Sequence, residues 1–329
     1  MGMEKFPIVS LPKILKSTSV VRRRPLRCLI WTIVFILYVY YINRRPSVDL
    51  VSPKPTPLAD IPTKIWQVFF NYTPIDAYSD SIQTWITKNQ DYQYTLVSAA
   101  GANAFALKHY ANRRQILHPF LSLRVPALRS DLLRYMLLEA EGGVYSDLDT
   151  AALKPVGQWI PLTLRPSVRA VVGIIEYDRG GGGGGEEAYP GMGGGSRLQF
   201  CQWTMAASRG HPLMSRVVAD VVAALQALAI KNETTIAKLR SSDEEVVQLS
   251  GPVIWTRAVL KTLSEATGTE MTYRNFTGMK EPRVFGDVMV LPVSGFGTGQ
   301  LHSGSVRAGS RDALVRHGWK KSRKHGWSN

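Results

Sequence analysis

Apolar and polar positions of this chain recur with two periods, which together predict alternating strands and helices. Mostly apolar runs predict strands at KIWQVFF (64–70) and YQYTLVS (92–98), and SDSIQTWITKN (79–89) between them has a helical pattern. A further helix is expected from about Ala102 to Leu117. This order of elements is typical of an α/β fold with a mostly parallel central sheet.

The next predicted helix has its own start and stop signals. In PALRSDLLRYMLLEAEGG, Pro126 suits a first helical turn, and Gly142 and Gly143 follow the last position of the apolar stripe. The segment VYSDLDT then begins a strand near Val144. Because ligands of open α/β sheets bind at the carboxyl ends of strands, the residues after this strand are candidates for a site.

An uncharged apolar run, CLIWTIVFILYVYYI, occupies residues 28–42 and predicts one N-terminal transmembrane helix. It is shorter than the roughly 20 residues that span a bilayer, but flanking arginines can snorkel and its tyrosines suit the membrane interface. We predict an uncleaved signal anchor; a cleaved signal peptide is the alternative, which the absence of a small-x-small site disfavours. The basic residues before the run predict a single-pass type II protein, with a cytosolic tail (1–27) and the rest of the chain in the lumen.

The remaining boundaries follow from composition and charge. Residues 43–60 are Pro-rich, which is typical of an extended stem. Residues 61–320 are predicted to form the folded domain, and residues 321–329 a basic tail. The net charge is +15, of which residues 1–27 and 307–329 carry +6 each, leaving +3 for the middle. A lumenal address makes a nucleic-acid partner improbable, so the tail is expected to be solvated, with contact to anionic glycans or donor phosphate as the alternative.

Two further features bear on a lumenal location. Three acceptor sequons, at Asn71, Asn232 and Asn275, all follow the apolar run and predict N-glycosylation. Cys28 and Cys201 are the only cysteines, so no disulfide joins two parts of the lumenal domain.

A Gly-rich segment interrupts the predicted domain at residues 179–197. Gly runs resist adopting one conformation, so this segment is expected to be a flexible loop. A lid over the site and a neutral insertion are both open, and the insertion is favoured.

The acidic pair Asp147 and Asp149 follows the strand that begins at Val144. The strand period of two predicts that both side chains lie on one side, at the carboxyl end of a central strand. Two hard oxygen ligands suit Mg²⁺ or Mn²⁺ with phosphate oxygens completing the shell. Asp131 and Arg134 are three residues apart on the preceding helix, so they are expected on one face near the same ligand.

A pair of acids alone is often a solvated turn, but its context is specific. RSDLLRYMLLEAEGGVYSDLD resembles the signature of family 32 glycosyltransferases, whose GT-A-like, Rossmann-type fold binds a nucleotide sugar. The stretches IPTKIWQ, RLQFCQWTMAASRGHP, LSGPVIWTRAV, FGDVMVLPVSGFG and HSGS resemble the fungal initiation-specific α-1,6-mannosyltransferases. The resemblance runs in order from about Ile61 to Trp319.

The resemblance implies roles for the acidic pair and the helix residues. Asp149 would coordinate Mn²⁺, or Mg²⁺, bound to the donor diphosphate, and Asp147 would contact the ribose or sugar and reach the metal through water. Asp131 and Arg134 would hold the transferred hexose and the phosphate.

Other assignments have a structural alternative. His302 in LHSGS lies where related folds place a late metal ligand, although a lone histidine is as often structural. Trp66 and Gln67 are candidates for the base site, with core packing of Trp66 as the alternative. Trp203 and Trp255 could stack on acceptor sugar rings, and packing is at least as expected for both.

The implied activity is a metal-dependent, retaining transfer of mannose from GDP-mannose to an N-linked glycan, in α-1,6 linkage, at the Golgi membrane. The alternatives are a hexosyltransferase acting on a sphingolipid, inositol phosphorylceramide, and a non-catalytic subunit of a mannosyltransferase complex. The sequence identifies no nucleophile, because neither Glu176 nor Asp178 can be placed beneath the anomeric carbon. Two displacements and same-face attack both remain open.

Overall fold

The structure is a computed structural model that describes residues 60–70, 74–176, 198–298 and 310–318, together with Ile33 and Leu37. The chain divides into two units, Met1–Ser52 and Pro53–Asn329. Of the first unit, Ile33 and Leu37 are described, and both are helical and exposed. The rest of the predicted anchor at 28–42 lies outside the described residues, so the anchor stays a prediction.

The second unit contains strands and helices in an alternating order. The strands are β1 Lys64–Val68, β2 Gln93–Val97, β3 Gly143–Ser146, β4 Thr150–Ala152, β5 Ala170–Glu176, β6 Gln199–Phe200, β7 Thr204–Ala207, β8 Arg283–Phe285, β9 Val288–Leu291 and β10 Val315–His317. The helices are α1 Ser79–Lys88, α2 Ala99–Tyr110, α3 Arg114–Ser122, α4 Pro126–Glu141, α5 Pro212–Lys231, α6 Asp243–Leu249, α7 Pro252–Thr267 and α8 Val293–Phe296.

One mixed sheet has the strand order β2-β1-β3-β7-β5-β9-β8, with β6 beside β5. Strands β2, β1 and β3 pair in parallel, β7 joins β3 to β5 in antiparallel fashion, and β9 is parallel to β5. Strands β6 and β8 are antiparallel to their neighbours. The predicted α/β fold is therefore present, with five strands running in one direction and β6, β7 and β8 against them.

The two faces of this sheet carry separate parts of the core. Ile65 and Val144 point to one face and pack with Trp85 of α1, whereas Trp66 and Tyr145 point to the other. Helices α2, α3, α4, α5 and α7 cover this second face. Since β3 is buried on both sides, its carboxyl end is held rigidly in the middle of the sheet.

Helix α4 begins and ends where its sequence signals predicted. Pro126 occupies the first turn, and Gly142 follows the last turn with a φ of 67° that L side chains rarely adopt. The single helix predicted from Ala102 to Leu117 is wrong: it is two helices, α2 and α3. The chain leaves the helical conformation at Arg113, where φ is −117° and ψ 62°.

Helix α5 is the one described helix that is long and apolar enough to cross a membrane. Nine of its apolar side chains, between Leu213 and Ala229, are buried in the core, whereas Ile230 near its end is exposed. Helix α5 is therefore a core helix of the second unit and is distinct from the predicted anchor.

Two glycines allow a paired test of the close backbone contact at the start of β3. Gly143 has a φ of 104°, and an added Cβ would lie 2.7 Å from the carbonyl oxygen of Lys64. Gly268 has a φ of 65°, with no atom within 4 Å of an added Cβ. We predict that Gly268→Ala lowers the free energy of unfolding by about 1 kcal/mol and Gly143→Ala by about 3 kcal/mol. Denaturant unfolding of both variants measures this, and equal losses would contradict the close contact.

Candidate functional site

The acidic turn, residues 147–149, follows β3 directly. The Thr150 amide and hydroxyl both donate to the backbone carbonyl of Asp147, at 3.1 and 2.6 Å, and close the turn. The Asp147 amide donates to the Trp203 carbonyl at 2.7 Å. The two carboxylates thus follow a central strand, as predicted, but a tight turn rather than strand alternation sets their orientation.

His317 completes a cluster with the two acids. Strand β10 pairs with β4 so that His317 lies opposite Thr150, the residue that follows the acidic turn. The Nε2 atom of His317 is 3.4 Å from Oδ1 of Asp149. One ligand atom from each of Asp147, Asp149 and His317 lies within 4.8 Å of the others. The two carboxylates supply the hard oxygen ligands that both Mn²⁺ and Mg²⁺ prefer, and the imidazole favours Mn²⁺, so the residues present fit the expected metal.

The sequence analysis did not single out His317. It pointed instead to His302, which lies outside the described residues and stays a prediction. The signal that could have indicated His317 is the short apolar run ALV (313–315), which leads into β10, Val315–His317. Its partner strand β4 is more than 150 residues earlier in the chain, so the pairing has no local sequence signature.

Arg134 of α4 lies directly beside the acidic turn. Its Nη2 atom is 2.9 Å from Oδ1 of Asp131 and 3.3 Å from Oδ1 of Asp147. The guanidinium carbon also lies 5.1 Å from the ring centre of Tyr145, whose hydroxyl donates to Oδ1 of Asp147 at 2.6 Å. Two donors therefore fix one carboxylate oxygen of Asp147. The predicted grouping of Asp131, Arg134 and the acidic pair is present.

Asp131 is buried and held from its other side as well. Ser250 Oγ donates to Oδ2 of Asp131 at 2.7 Å, and Gln202 Nε2 and the Tyr135 hydroxyl both donate to the Ser250 carbonyl at 3.0 Å. Burial raises the pKa of Asp131, while Arg134 and the Ser250 hydrogen bond act in the opposite direction. The sequence analysis missed Ser250 and Gln202, because no local spacing connects either residue to α4.

Gln67 supports the acidic turn from β1. Its Nε2 atom donates to the carbonyl of Asp147 at 2.9 Å, and its Oε1 atom accepts from the Tyr94 hydroxyl at 2.7 Å. Trp66 is buried, donates from Nε1 to the Gly142 carbonyl at 2.8 Å and packs edge-on against Phe105. Both side chains have hydrogen-bond partners inside the protein, which favours the core-packing alternative for Trp66, and the base-site role of the two residues stays a prediction.

Comparison with known proteins agrees with this site. The family model of the glycosyltransferase sugar-binding region containing a DXD motif matches residues 76–165, which include Asp131, Arg134 and the acidic turn. The initiation-specific α-1,6-mannosyltransferase of Schizosaccharomyces pombe is 31% identical over 84% of this chain and 68% of its own length. The chain therefore belongs to the family of glycosyltransferases whose sugar-binding region contains a DXD motif.

Two further comparisons are weaker. The initiation-specific α-1,6-mannosyltransferase of Candida albicans is 27% identical over 71% of this chain and 64% of its own length, so the match spans slightly less than two thirds of that relative. The solved PaToxG glycosyltransferase aligns over 63% of this chain and 72% of that chain, at 18% identity and a TM-score of 0.41. That agreement is too low to carry an argument about this glycosyltransferase.

The two tryptophans expected on the acceptor side differ in their surroundings. Trp255 is fully buried, stacks on Tyr135 at 5.6 Å and donates to the Cys201 carbonyl at 2.9 Å. This burial agrees with the packing alternative for Trp255, and the structure gives its acceptor role no support. Trp203 is half-buried, and its ring centre is 4.7 Å from that of His317. Trp203 therefore borders the cluster of Asp147, Asp149 and His317, and a contact of Trp203 with the acceptor stays a proposal.

The remaining sequence features are described only in part. Asn232 is exposed at the end of α5, and Asn275 is half-buried, with Oδ1 accepting from the Thr272 amide at 2.8 Å. Asn71, the Gly-rich segment at 179–197 and the tail at 321–329 lie outside the described residues. Glycosylation of the three sequons stays a prediction.

The role of His317 can be separated from that of an ordinary surface histidine. We predict that His317→Ala weakens Mn²⁺ binding by tenfold or more, since loss of even an outer-shell partner costs about tenfold. His118→Ala, at an exposed position, is the control and is expected to leave binding unchanged. Electron paramagnetic resonance of free Mn²⁺ during titration gives the affinity, and an unchanged His317→Ala affinity would remove this residue from the metal site.

Proposed function

We propose that this glycosyltransferase transfers mannose from GDP-mannose to an N-linked glycan, forming an α-1,6 linkage with retention of the anomeric configuration. The observation that carries the proposal is the convergence of Asp147, Asp149 and His317 beside Arg134. The names of the two relatives support the choice of sugar and linkage. We further propose a GT-A-like arrangement, with the donor at the carboxyl end of β3.

The proposed metal site needs a divalent cation, for which Mn²⁺ is the first candidate and Mg²⁺ the second. When bound, the cation would neutralise the negative charge that develops on the departing GDP. Asp149 and His317 are proposed as its direct ligands. Asp147 has one oxygen engaged by Tyr145 and Arg134, which supports a role in orienting the donor and reaching the metal through its other oxygen or through water.

Arg134 is proposed to contact the donor phosphate. Its Nε atom is buried and has no hydrogen-bond partner among the described residues, although Nη2 is paired with Asp131 and Asp147. A buried donor without a partner is costly, so a ligand oxygen at this position would be stabilising. Asp131 is then a positioning residue, because its two carboxylate oxygens accept from Arg134 and Ser250.

The proposed location is the Golgi membrane, with the catalytic domain in the lumen. It rests on the apolar run at 28–42, the basic residues before it and the three sequons that follow it. Membership of a mannosyltransferase complex is a further proposal that these features leave open.

The proposed activity has a direct test with the full-length chain in neutral detergent. GDP-mannose, Mn²⁺ and a high-mannose N-glycan are supplied, and released GDP and the linkage of the product are measured. We predict glycan-dependent GDP release with a new α-1,6 linkage, abolished by a chelator. Asp149→Asn should lower kcat by about a hundredfold or more, because it removes a group that stabilises the transition state.

The control is Asp220→Asn, at an exposed position of α5, which is expected to keep full activity. Release with inositol phosphorylceramide but not with the glycan would assign the sphingolipid acceptor instead. A folded protein that releases no GDP with either acceptor would overturn the catalytic proposal and favour a non-catalytic subunit.

A further inference from the structure

A second cleft, of about 300 Å³, lies away from the acidic turn. We call it the basic cleft; the lining residues used below are Tyr110, Arg113, Glu139, Arg209, Gly210 and Ser215. Glu139 belongs to α4 just before β3, and Arg209 follows β7, whose Ala207 pairs with Gly143 at the start of β3. The basic cleft is therefore at the amino end of β3 and is separated from the acidic turn by the strand, about 13 Å.

The one carboxylate that lines the basic cleft, Glu139, already has two hydrogen-bond donors from the protein. Glu139 is 5% exposed, accepts from the Tyr110 hydroxyl at 2.6 Å and from Arg113 Nη1 at 2.7 Å. The guanidinium carbon of Arg113 lies 5.2 Å from the Tyr110 ring centre, which fixes its orientation, and the side chain is still 41% exposed. Arg113 therefore keeps further N–H donors for a ligand in the cleft.

The charges around the basic cleft do not balance. Glu141 is the second carboxylate; it pairs with Lys64, and Lys108 lies 3.8 Å away. His109 also contacts Glu141, but burial lowers the pKa of His109, so we count it as neutral. Lys64, Lys108 and Glu141 do not line the cleft. Its lining has the cations Arg113 and Arg209 and the anion Glu139, which leaves a surplus of one positive charge.

Arg209 carries the part of this surplus that is most accessible. It is exposed, and it forms no ion pair with any residue in the part of the chain that the structure describes. The next residue, Gly210, has a φ of 70°, and an added Cβ there would meet nothing within 4 Å, so the backbone at this wall is open. An anion can approach Arg209 without displacing a protein partner.

Helix α5 adds one side-chain donor on the same side, since the amides of its first turn already donate to His211. The helix has 20 residues and starts at Pro212, with His211 as its N-cap. Ser215, in the first turn, lines the cleft with a hydroxyl. The amino end of a helix carries a partial positive charge, which favours an anion and adds to the two arginines. Two features, the positive lining that includes the exposed Arg209 and the start of α5, thus favour the same ligand charge.

We propose that the basic cleft binds a phosphate group, as a phosphomonoester of a sugar or of a lipid headgroup. The positively charged lining complements a phosphate anion, and planar guanidinium groups such as those of Arg113 and Arg209 bind phosphate oxygens in pairs. This site is additional to the donor diphosphate, which we place at the other end of β3. It would hold a phosphorylated glycan or a membrane lipid while transfer proceeds elsewhere.

Calorimetric titration of the full-length protein in neutral detergent tests this proposal. The probes are inorganic phosphate, mannose 6-phosphate and glycerol 3-phosphate, with EDTA present so that the acidic turn repels phosphate. We predict that Arg209→Ala weakens phosphate binding by about tenfold, as loss of a charge-assisted hydrogen bond does. Arg240→Ala, at another exposed position, is the matched control and should bind as the wild type does. If mannose 6-phosphate binds more tightly, the natural ligand is a phosphorylated glycan. If glycerol 3-phosphate binds more tightly, it is a lipid headgroup.

A second variant, Ser215→Ala, is expected to weaken binding less than Arg209→Ala does. Melting temperatures without phosphate show that each variant is folded, and mannosyl transfer should be unchanged in both, because neither residue lies near the acidic turn. Equal phosphate affinity in the wild type and Arg209→Ala would overturn the proposal. The proposal would also be overturned if the folded wild type bound no phosphate, whatever the outcome for mannosyl transfer.

Discussion

The candidate active site depends on one buried cation, Arg134, held between Asp131 and Asp147. A guanidinium that is 8% exposed is stable only when its charge is matched, and removal of one partner of such a pair typically costs about 3 to 5 kcal/mol. Ser250 in turn fixes Asp131, and Tyr145 fixes Asp147. The interior of the protein thereby sets the position of the acidic turn before any ligand binds.

This arrangement joins three parts of the chain that are distant in sequence. Helix α4 supplies the cation, β3 supplies the strand end that leads into the turn, and Ser250 precedes α7. A fourth part, β10, brings His317 alongside through its pairing with β4. Helix α4 packs on one face of the sheet and strands β4 and β10 belong to the core on the other, so the sheet fixes the position of Arg134 relative to Asp147, Asp149 and His317.

Local signals were sufficient for the parts of this site that are continuous in sequence. Pro126, Gly142 and the apolar stripe located α4, and the i, i+3 spacing located the Asp131–Arg134 pair. The same signals could not reveal His317, Ser250 or Gln202, because their roles depend on long-range contacts. Local signals can also suggest too much. Trp255 lies in a motif that resembles the mannosyltransferases, yet its side chain packs in the core, stacked on Tyr135.

Errors in the predicted elements have the same origin. The break between α2 and α3 is set by tertiary contacts: Tyr110 and Arg113 both bind Glu139 of α4, which no pattern in residues 102–117 indicates. The reversed direction of β7 follows from its pairing with β3 and β5 rather than from its own sequence. One strand, β3, thus organises two chemically opposite ends, acidic at its carboxyl end and basic at its amino end.

The central claim is that the acidic turn and His317 hold a divalent cation against the donor diphosphate. Anomalous diffraction at the manganese edge, from crystals of the full-length protein with Mn²⁺ and GDP, tests it most directly. The account predicts one strong peak within coordination distance of Asp149 and His317, with the diphosphate of GDP between that peak and Arg134. A manganese peak elsewhere, or GDP bound away from the carboxyl end of β3, would contradict it.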